Sequence, residues 1–272
     1  MTLELLYQAF IETIQHPDPE INLAQAALQI ANFEYPRLKI DHYLNRINLM
    51  AEEVKKRLPD RLYPLKIVKV INQYLFEDLQ FTGNTQEYYD PRNSYLNDVI
   101  DRRTGIPLTL SIIYLEIAKQ IDFPMVGIGM PGHFIIRPDF EEVEIFVDPF
   151  HGGEILFKQD CQERLSQVYQ QPVKLEEHFL NIATNQQILL RLLTNLKYIY
   201  LNRQQWSQTI RTIDLLLLLI PNHPLELRDR GLVYYQIGQL SQAQRDLGFY
   251  LALLPNAQDA ESIRQLLQKI NS

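Results

Sequence analysis

Apolar positions recur every three to four residues through the first 80 residues, then every second residue for a short stretch, then at helical spacing again to the end. Leu3, Leu6, Tyr7, Phe10, Ile11 and Ile14 predict a first helix. Breakers at His16–Pro19 end it, and a second periodic stretch runs from Ile21 to Phe33. A third spans about Leu38 to Leu58, with Leu44, Ile47, Met50, Ala51 and Val54 on one stripe. Lys55, Lys56 and Arg57 close it, where positive charge suits the helix dipole. Pro59 and Pro64 precede a fourth stretch, Leu65–Leu79, and residues 81–91 (FTGNTQEYYDP) read as a polar loop. Thr104-Gly105-Ile106-Pro107 then opens a helix over LTLSIIYLEIAKQI, with proline in the first turn, where its missing N–H costs nothing. Leu110, Ile113, Tyr114 and Ile117 give that helix an apolar face.

After Pro124 the period becomes two. Met125–Gly129, His133–Arg137 and Val143–Pro149 read as strands, the last two joined as an antiparallel hairpin through PDFEE. A hairpin symmetric about Phe140 and Glu141 sets Arg137 opposite Glu144, Ile135 opposite Phe146 and His133 opposite Asp148. The other face, Phe134 with Val147 and Ile136 with Ile145, is wholly apolar, so a one-residue slip would bury charge. This register predicts a hydrogen bond between His133 and Asp148.

The last third repeats itself. Pro221-Asn222 and Pro255-Asn256 lie 34 residues apart, as do Ile213 and Leu247, Arg211 and Arg245, and Trp206 and Leu240. A 34-residue period of helix–turn–helix units is the tetratricopeptide signature. The second unit carries Gly231, Gly238 and Ala243; the first has Gln204 and Thr209 in the places of the last two. A final helix, Ala257 to Ile270, caps the stack, and a solenoid this short is expected to pack on the rest of the protein.

The composition narrows the function classes. The 272 residues carry a net charge of −7, yet residues 185–272 hold nine basic and six acidic side chains, leaving 17 basic and 27 acidic before them. An acidic body argues against broad nucleic-acid binding, which needs a clustered basic face. One cysteine, Cys161, excludes an internal disulfide framework. The longest apolar run, Leu215–Ile220, is far short of a membrane span, and the start of the chain lacks a basic signal region, so a cytoplasmic location is expected. Gly127, Gly129 and Gly132 spell GxGxxG, but a strand follows rather than a helix, so no dinucleotide site is expected.

A histidine and an aspartate on paired strands, after a helix that starts near Pro107, follow the order of the transglutaminase and papain-like cysteine hydrolases. YYDPRNSYLNDVIDRRTGIPLTLSIIYLEIA (88–118), GIGMPGHFIIR (127–137) and VDPFHGGEIL (147–156) carry a closer resemblance, to the SirB-type family. Its members join a transglutaminase-like core to tetratricopeptide repeats. The chain also resembles a domain of a eukaryotic F-box protein, which points to partner binding. The resemblance implies an α+β, mostly helical fold: a helical N-terminal region (1–82), a transglutaminase-like core with a small antiparallel sheet (83–184) and the repeats (185–272).

In transglutaminases the nucleophilic cysteine falls at about positions 106–108, where this chain has Ile-Pro-Leu. Thr104, Thr109 and Ser111 are nearby but read as caps and packing groups. The expectation is therefore a non-catalytic scaffold or regulatory protein that binds a protein or peptide through its repeats. The alternative is an amide or ester hydrolase, or acyltransferase, working through His133 and Asp148 with Cys161 or an activated water. Cys161 opens a helix, which favours a thiolate, but Asp160 and Glu163 flank it. Asp90, Arg92, Asn93, Asn97 and Arg103 line a groove or brace a loop. His151, with His133 and Asp148, could complete a two-histidine, one-carboxylate set, although a histidine after the DPF turn more often faces solvent. No metal and no other cofactor is expected.

Overall fold

The computed structural model describes residues 2–59, 63–140 and 144–271. The chain divides into two compact units, Met1–Leu192 and Leu193–Ser272. The N-terminal region and the core expected after it fall in the same unit.

Four helices begin the first unit: α1 (Leu3–Ile14), α2 (Leu23–Asn32), α3 (Ile40–Arg57) and α4 (Pro64–Asn72). Asn22 caps α2 by accepting the Gln25 N–H at 2.9 Å. Every residue of α2 except Gln25 is buried, and Ala24, Ala26, Ala27 and Ala31 let α1, α3 and two later helices approach closely. α4 runs on into a π-helical segment, Gln73–Asp78. The loop expected at 81–91 contains a two-residue strand, β1 (Thr82–Gly83), paired in parallel with β2 (Thr104–Gly105). Between them lies α5 (Leu96–Arg102), which ends on Arg103 in a left-handed conformation (φ 56°).

α6 (Pro107–Gln120) starts where the sequence places it. Its burial is broader than one face: Pro107 to Tyr114 are buried without a break. Helices α2 and α3 and the sheet enclose it, so it is the central helix of the unit.

The sheet holds β3 (Met125–Ile128), β4 (Ile135–Pro138), β5 (Phe146–Asp148), β6 (Glu154–Leu156) and β7 (Ile182–Ala183), in the order β6-β5-β4-β3-β7 and antiparallel throughout. The β4–β5 register differs from the symmetric hairpin by two residues: Ile136 pairs with Val147, not Ile145. A shift of two keeps every side chain on its expected face. Glu144, expected opposite Arg137, instead pairs with Lys158 at the start of α7 (Lys158–Tyr169). The expected hairpin tip at Glu141 and strand start at Val143 lie outside the described residues.

α8 (Asn185–Asn202) spans the division between the units. The second unit continues with α9 (Trp206–Leu219), α10 (Pro224–Gln236), α11 (Leu240–Leu253) and α12 (Ala260–Asn271), each packed on the next. α9 and α11 start 34 residues apart, matching the repeat. Gly231 is required where α10 meets α11, because a Cβ there would stand 2.8 Å from Leu247 Cγ. Ile263 of α12 closes a small core with Leu247 and Tyr250.

The degenerate repeat pays a local cost. Gly238 turns between α10 and α11 at φ 76°, and Gln204, its equivalent 34 residues earlier, adopts φ 56° without a glycine. Gln204→Gly should therefore raise stability by about 0.5–1 kcal/mol. The midpoint of urea unfolding would read this; a lower midpoint would show that the Gln204 side chain makes contacts worth more than the strain.

Candidate functional site

Gly132 turns the chain at φ 69° and delivers His133 just before β4. Asp148 is the last residue of β5 and caps a 3-10 turn, Pro149–His151. Its Oδ1 accepts the backbone N–H groups of Phe150 (3.1 Å) and His151 (3.3 Å). Gly152 and Gly153, both left-handed, then reverse the chain into β6, which sets Glu154 opposite Asp148. α6 and β1 pack on the 3-10 turn. At Gly83 of β1 a Cβ would lie 2.5 Å from the Phe150 carbonyl oxygen, so only glycine fits there. The end of α4 also reaches the site: Asn72 donates to the Gly153 carbonyl at 2.6 Å, and Tyr114 donates to Asn72 at 3.0 Å.

Asp148 is fully buried, and its second oxygen is the hub. His133 Nε2 is 2.7 Å from Oδ2 and His151 Nδ1 is 2.8 Å from it. Arg164 of α7 pairs with the same oxygen and, through its other nitrogen, with Glu154. Burial pushes the Asp148 carboxyl up. The His133 hydrogen bond and the positive charge around it outweigh burial and hold it below the usual carboxylate range. The predicted His133–Asp148 hydrogen bond thus forms although the register differs, because His133 reaches diagonally from outside the paired segment. Phe150 stands edge-on to His133, with ring centroids 6.3 Å apart, and Tyr88 packs on Phe150.

With Nε2 held by Asp148, Nδ1 of His133 is the nitrogen a nucleophile would have to meet. β1 packs on the His151 turn and pairs with β2, which leads straight into α6. The start of α6 is therefore the neighbouring wall, and Ile106, Pro107 and Leu108 are all buried there. Thr109 donates to the Asn93 carbonyl at 2.8 Å and accepts from the Ile106 N–H at 3.2 Å, so its hydroxyl is engaged. The Thr104 hydroxyl donates to the Arg102 carbonyl. Ser111 is buried inside α6.

Cys161 lies in a different environment. It is fully buried among Ile128, Met130, Ile135, Phe146, Leu156 and Leu165. Burial, with the charge of Asp160, pushes its thiol up to about 12. Among the described residues no hydrogen bond joins its sulfur to His133. Alkylation by iodoacetamide should therefore be negligible in the native protein at pH 8 and complete after denaturation. Fast native labelling lost in His133→Ala would reveal a thiolate paired with that histidine.

Asp90, Arg92, Asn93 and Asn97 gather around the loop before α5. Asp90 pairs with Arg92 and lies 3.8 Å from Arg102. Asn93 is fully buried; it donates to the Glu87 and Tyr88 carbonyls and accepts from Asn84. These contacts brace the loop. Asn97 is buried on α5, and Arg103 donates to the Leu79 carbonyl.

Three residues of the site escape sequence reasoning. Arg164 and Glu154 come from elements whose meeting only the fold sets. Arg191 of α8 donates to the carbonyls of His133 (2.9 Å) and Met130 (3.2 Å) and so fixes the loop that carries His133. Nothing local in the sequence marks it.

A histidine–carboxylate pair on a small antiparallel sheet, behind a buried central helix and followed by 34-residue helical repeats, defines a transglutaminase-like core joined to tetratricopeptide repeats. The family model of the transglutaminase-like superfamily matches residues 41–194, and that of the tetratricopeptide repeat matches 196–268. The chain belongs to the UPF0162 protein family. It is 39% identical to a UPF0162 protein of Xylella fastidiosa over 251 residues, covering 91% of this chain and 89% of that protein. It is 30% identical to one from Vibrio cholerae, covering 70% of each. It also matches the human F-box only protein 21, at 27% identity over 184 residues, 64% of this chain and 28% of that protein. No solved structure matches it.

Proposed function

We propose that this protein is a non-catalytic scaffold or regulatory protein, of the SirB type, that binds a protein or peptide partner through its repeats. The observation that carries this reading is the start of α6. Ile106, Pro107 and Leu108 offer no thiol, hydroxyl or amine to face His133. The single thiol of the chain supports the same reading, being buried and hard to ionise. His133 and Asp148 then act as a tether that holds β4, β5 and α7 together, and the Asp90–Arg92–Asn93 cluster as a loop brace. Among the described residues no helix is long and apolar enough to cross a membrane. The partner is a protein met in the cytoplasm, and the partner-binding face is on the repeats, where Phe249 and Leu253 of α11 stand exposed at i, i+4 spacing.

The test is capture of a partner by the full chain, with quantified affinity, compared across variants. The reading expects binding to weaken at least tenfold in the Phe249→Ser, Leu253→Ser double variant and to persist in His133→Ala. Binding that follows His133 and ignores the repeat face would overturn it.

A further inference from the structure

We propose that His133, Asp148 and His151 form a binding site for a divalent transition metal of the zinc class, with the guanidinium of Arg164 standing where the ion would sit. The three ligand atoms, His133 Nε2, Asp148 Oδ2 and His151 Nδ1, all lie within 4.8 Å of one another. Two imidazole nitrogens and one carboxylate oxygen are the donor set that borderline divalent metals prefer. At metal–ligand bonds of about 2.0–2.1 Å, tetrahedral ligand atoms sit about 3.3 Å apart. The observed 2.7 and 2.8 Å between Asp148 and the two imidazoles therefore needs to open by only about half an ångström.

The carboxylate and the His151 ring already gather around one cation, the Arg164 guanidinium. His151 Nδ1 is 2.8 Å from Asp148 Oδ2 and also 2.8 Å from Arg164 Nη1. One ring nitrogen cannot donate to the carboxylate and accept from the guanidinium at once. With Nδ1 unprotonated, a lone pair faces a carboxylate oxygen, and only a positive charge between them makes that favourable. Arg164 supplies that charge here. It also has somewhere to go, because its other nitrogen already holds Glu154, the residue opposite Asp148 on β6. An ion entering between the imidazoles would leave Arg164 on Glu154.

Other features suit a metal site. Asp148 Oδ1 is fixed by two backbone N–H groups, so Oδ2 is aimed. Arg191 and Gly132 set the loop that presents His133. His133 is nearly buried and His151 is half-exposed, which gives a supported wall and an approach from solvent. The site goes beyond the scaffold reading and does not need it: a bound ion would tie the loop before β4 to the end of β5 and the Pro149–His151 turn whether or not the protein turns over a substrate.

The experiment is a calorimetric titration of the untagged full chain, stripped with a chelator, with Zn²⁺, paralleled by Co²⁺ followed in the visible spectrum. The expected result is one ion per chain with a dissociation constant in the micromolar range or below. His133→Ala and His151→Ala should each weaken binding at least about tenfold, and Arg164→Gln should tighten it severalfold. His151 is half-exposed, so its variant keeps the fold and decides the matter even where His133→Ala unfolds. His178→Ala is the control, because exposed His178 beside Glu176 is the obvious adventitious site. No saturable binding in the wild type, or binding that survives His151→Ala and falls in His178→Ala, would overturn the assignment.

Discussion

Asp148→Ala should cost about 3–5 kcal/mol of folding free energy, enough to remove most of the stability of a domain this size. The carboxylate is fully buried, accepts two backbone N–H groups and meets two imidazoles and a guanidinium. Removing it leaves His133 and the two backbone N–H groups of the turn without their acceptor and Arg164 with Glu154 alone. Asp148→Asn keeps the shape and the cap but not the charge, so it should fall between wild type and alanine. The acid limb carries a second signature. The folded carboxyl titrates below its ordinary value of 3.8, so its contribution is present above that value and is lost as pH falls through the folded value. Urea unfolding from pH 3 to 7 should show wild-type stability falling below about pH 4, and a shallower fall in Asp148→Asn. A cost under about 1 kcal/mol in the alanine variant would mean that the hub is loosely held.

Lys197→Met should be comparably damaging in the second unit, at about 3–5 kcal/mol. Lys197 is only 4% exposed and donates to both oxygens of Glu226, at 2.8 and 2.9 Å, and to Asp229 at 3.0 Å. Methionine fills the space but leaves the buried Glu226 carboxylate without its partner, while Asp229 keeps Arg228. Burial lowers the Lys197 ammonium, but the hydrogen bonds and the negative charge outweigh it and raise it above 10.5. The lysine's contribution is therefore fully present below that value and is lost as pH rises through the folded value. Pairing Lys197→Met with Glu226→Leu should recover much of the loss, since an apolar pair of similar volume often replaces a buried ion pair at little cost. A double variant no better than the single would assign the effect to packing rather than charge.

The helices are legible in the sequence because each buries a continuous stripe and carries its own stop signals. Pro17, Pro19, Pro64 and Pro107 punctuate where chain direction changes, and the 34-residue repeat places α9 and α11 at matching starts. Shorter elements are not legible. β1, β2 and β7 are two residues each, too short for any period, and α5 has only Leu96, Val99 and Ile100 to mark it. The β4–β5 register slips by two for a physical reason: alternation constrains the face and not the pairing, so shifts of two residues look alike in sequence.

The site divides along the same line. His133 and Asp148 are legible because the alternation that carries β4 and β5 puts both on one side of the sheet, although His133 stands two residues before β4. His151 is legible as a neighbour of Asp148, but its ring turns toward the carboxylate because Asp148 caps its turn. Arg164, Glu154 and Arg191 are set by how α7, β6 and α8 pack, and residues from such elements carry no local signature. Cys161 reads two ways in sequence, as a helix-start thiolate or a core thiol. The apolar cluster around it, with Leu165 one turn later on the same face of α7, sets it as a core residue.

The proposed scaffold role rests on the start of α6, where Ile106, Pro107 and Leu108 carry no nucleophile. The most direct measurement incubates the full chain with model amide and ester substrates and follows both turnover and the intact mass of the protein, in wild type and in His133→Ala. The account predicts no turnover above buffer and no covalent adduct in either. Turnover or an acyl adduct in the wild type that vanishes in His133→Ala would contradict it.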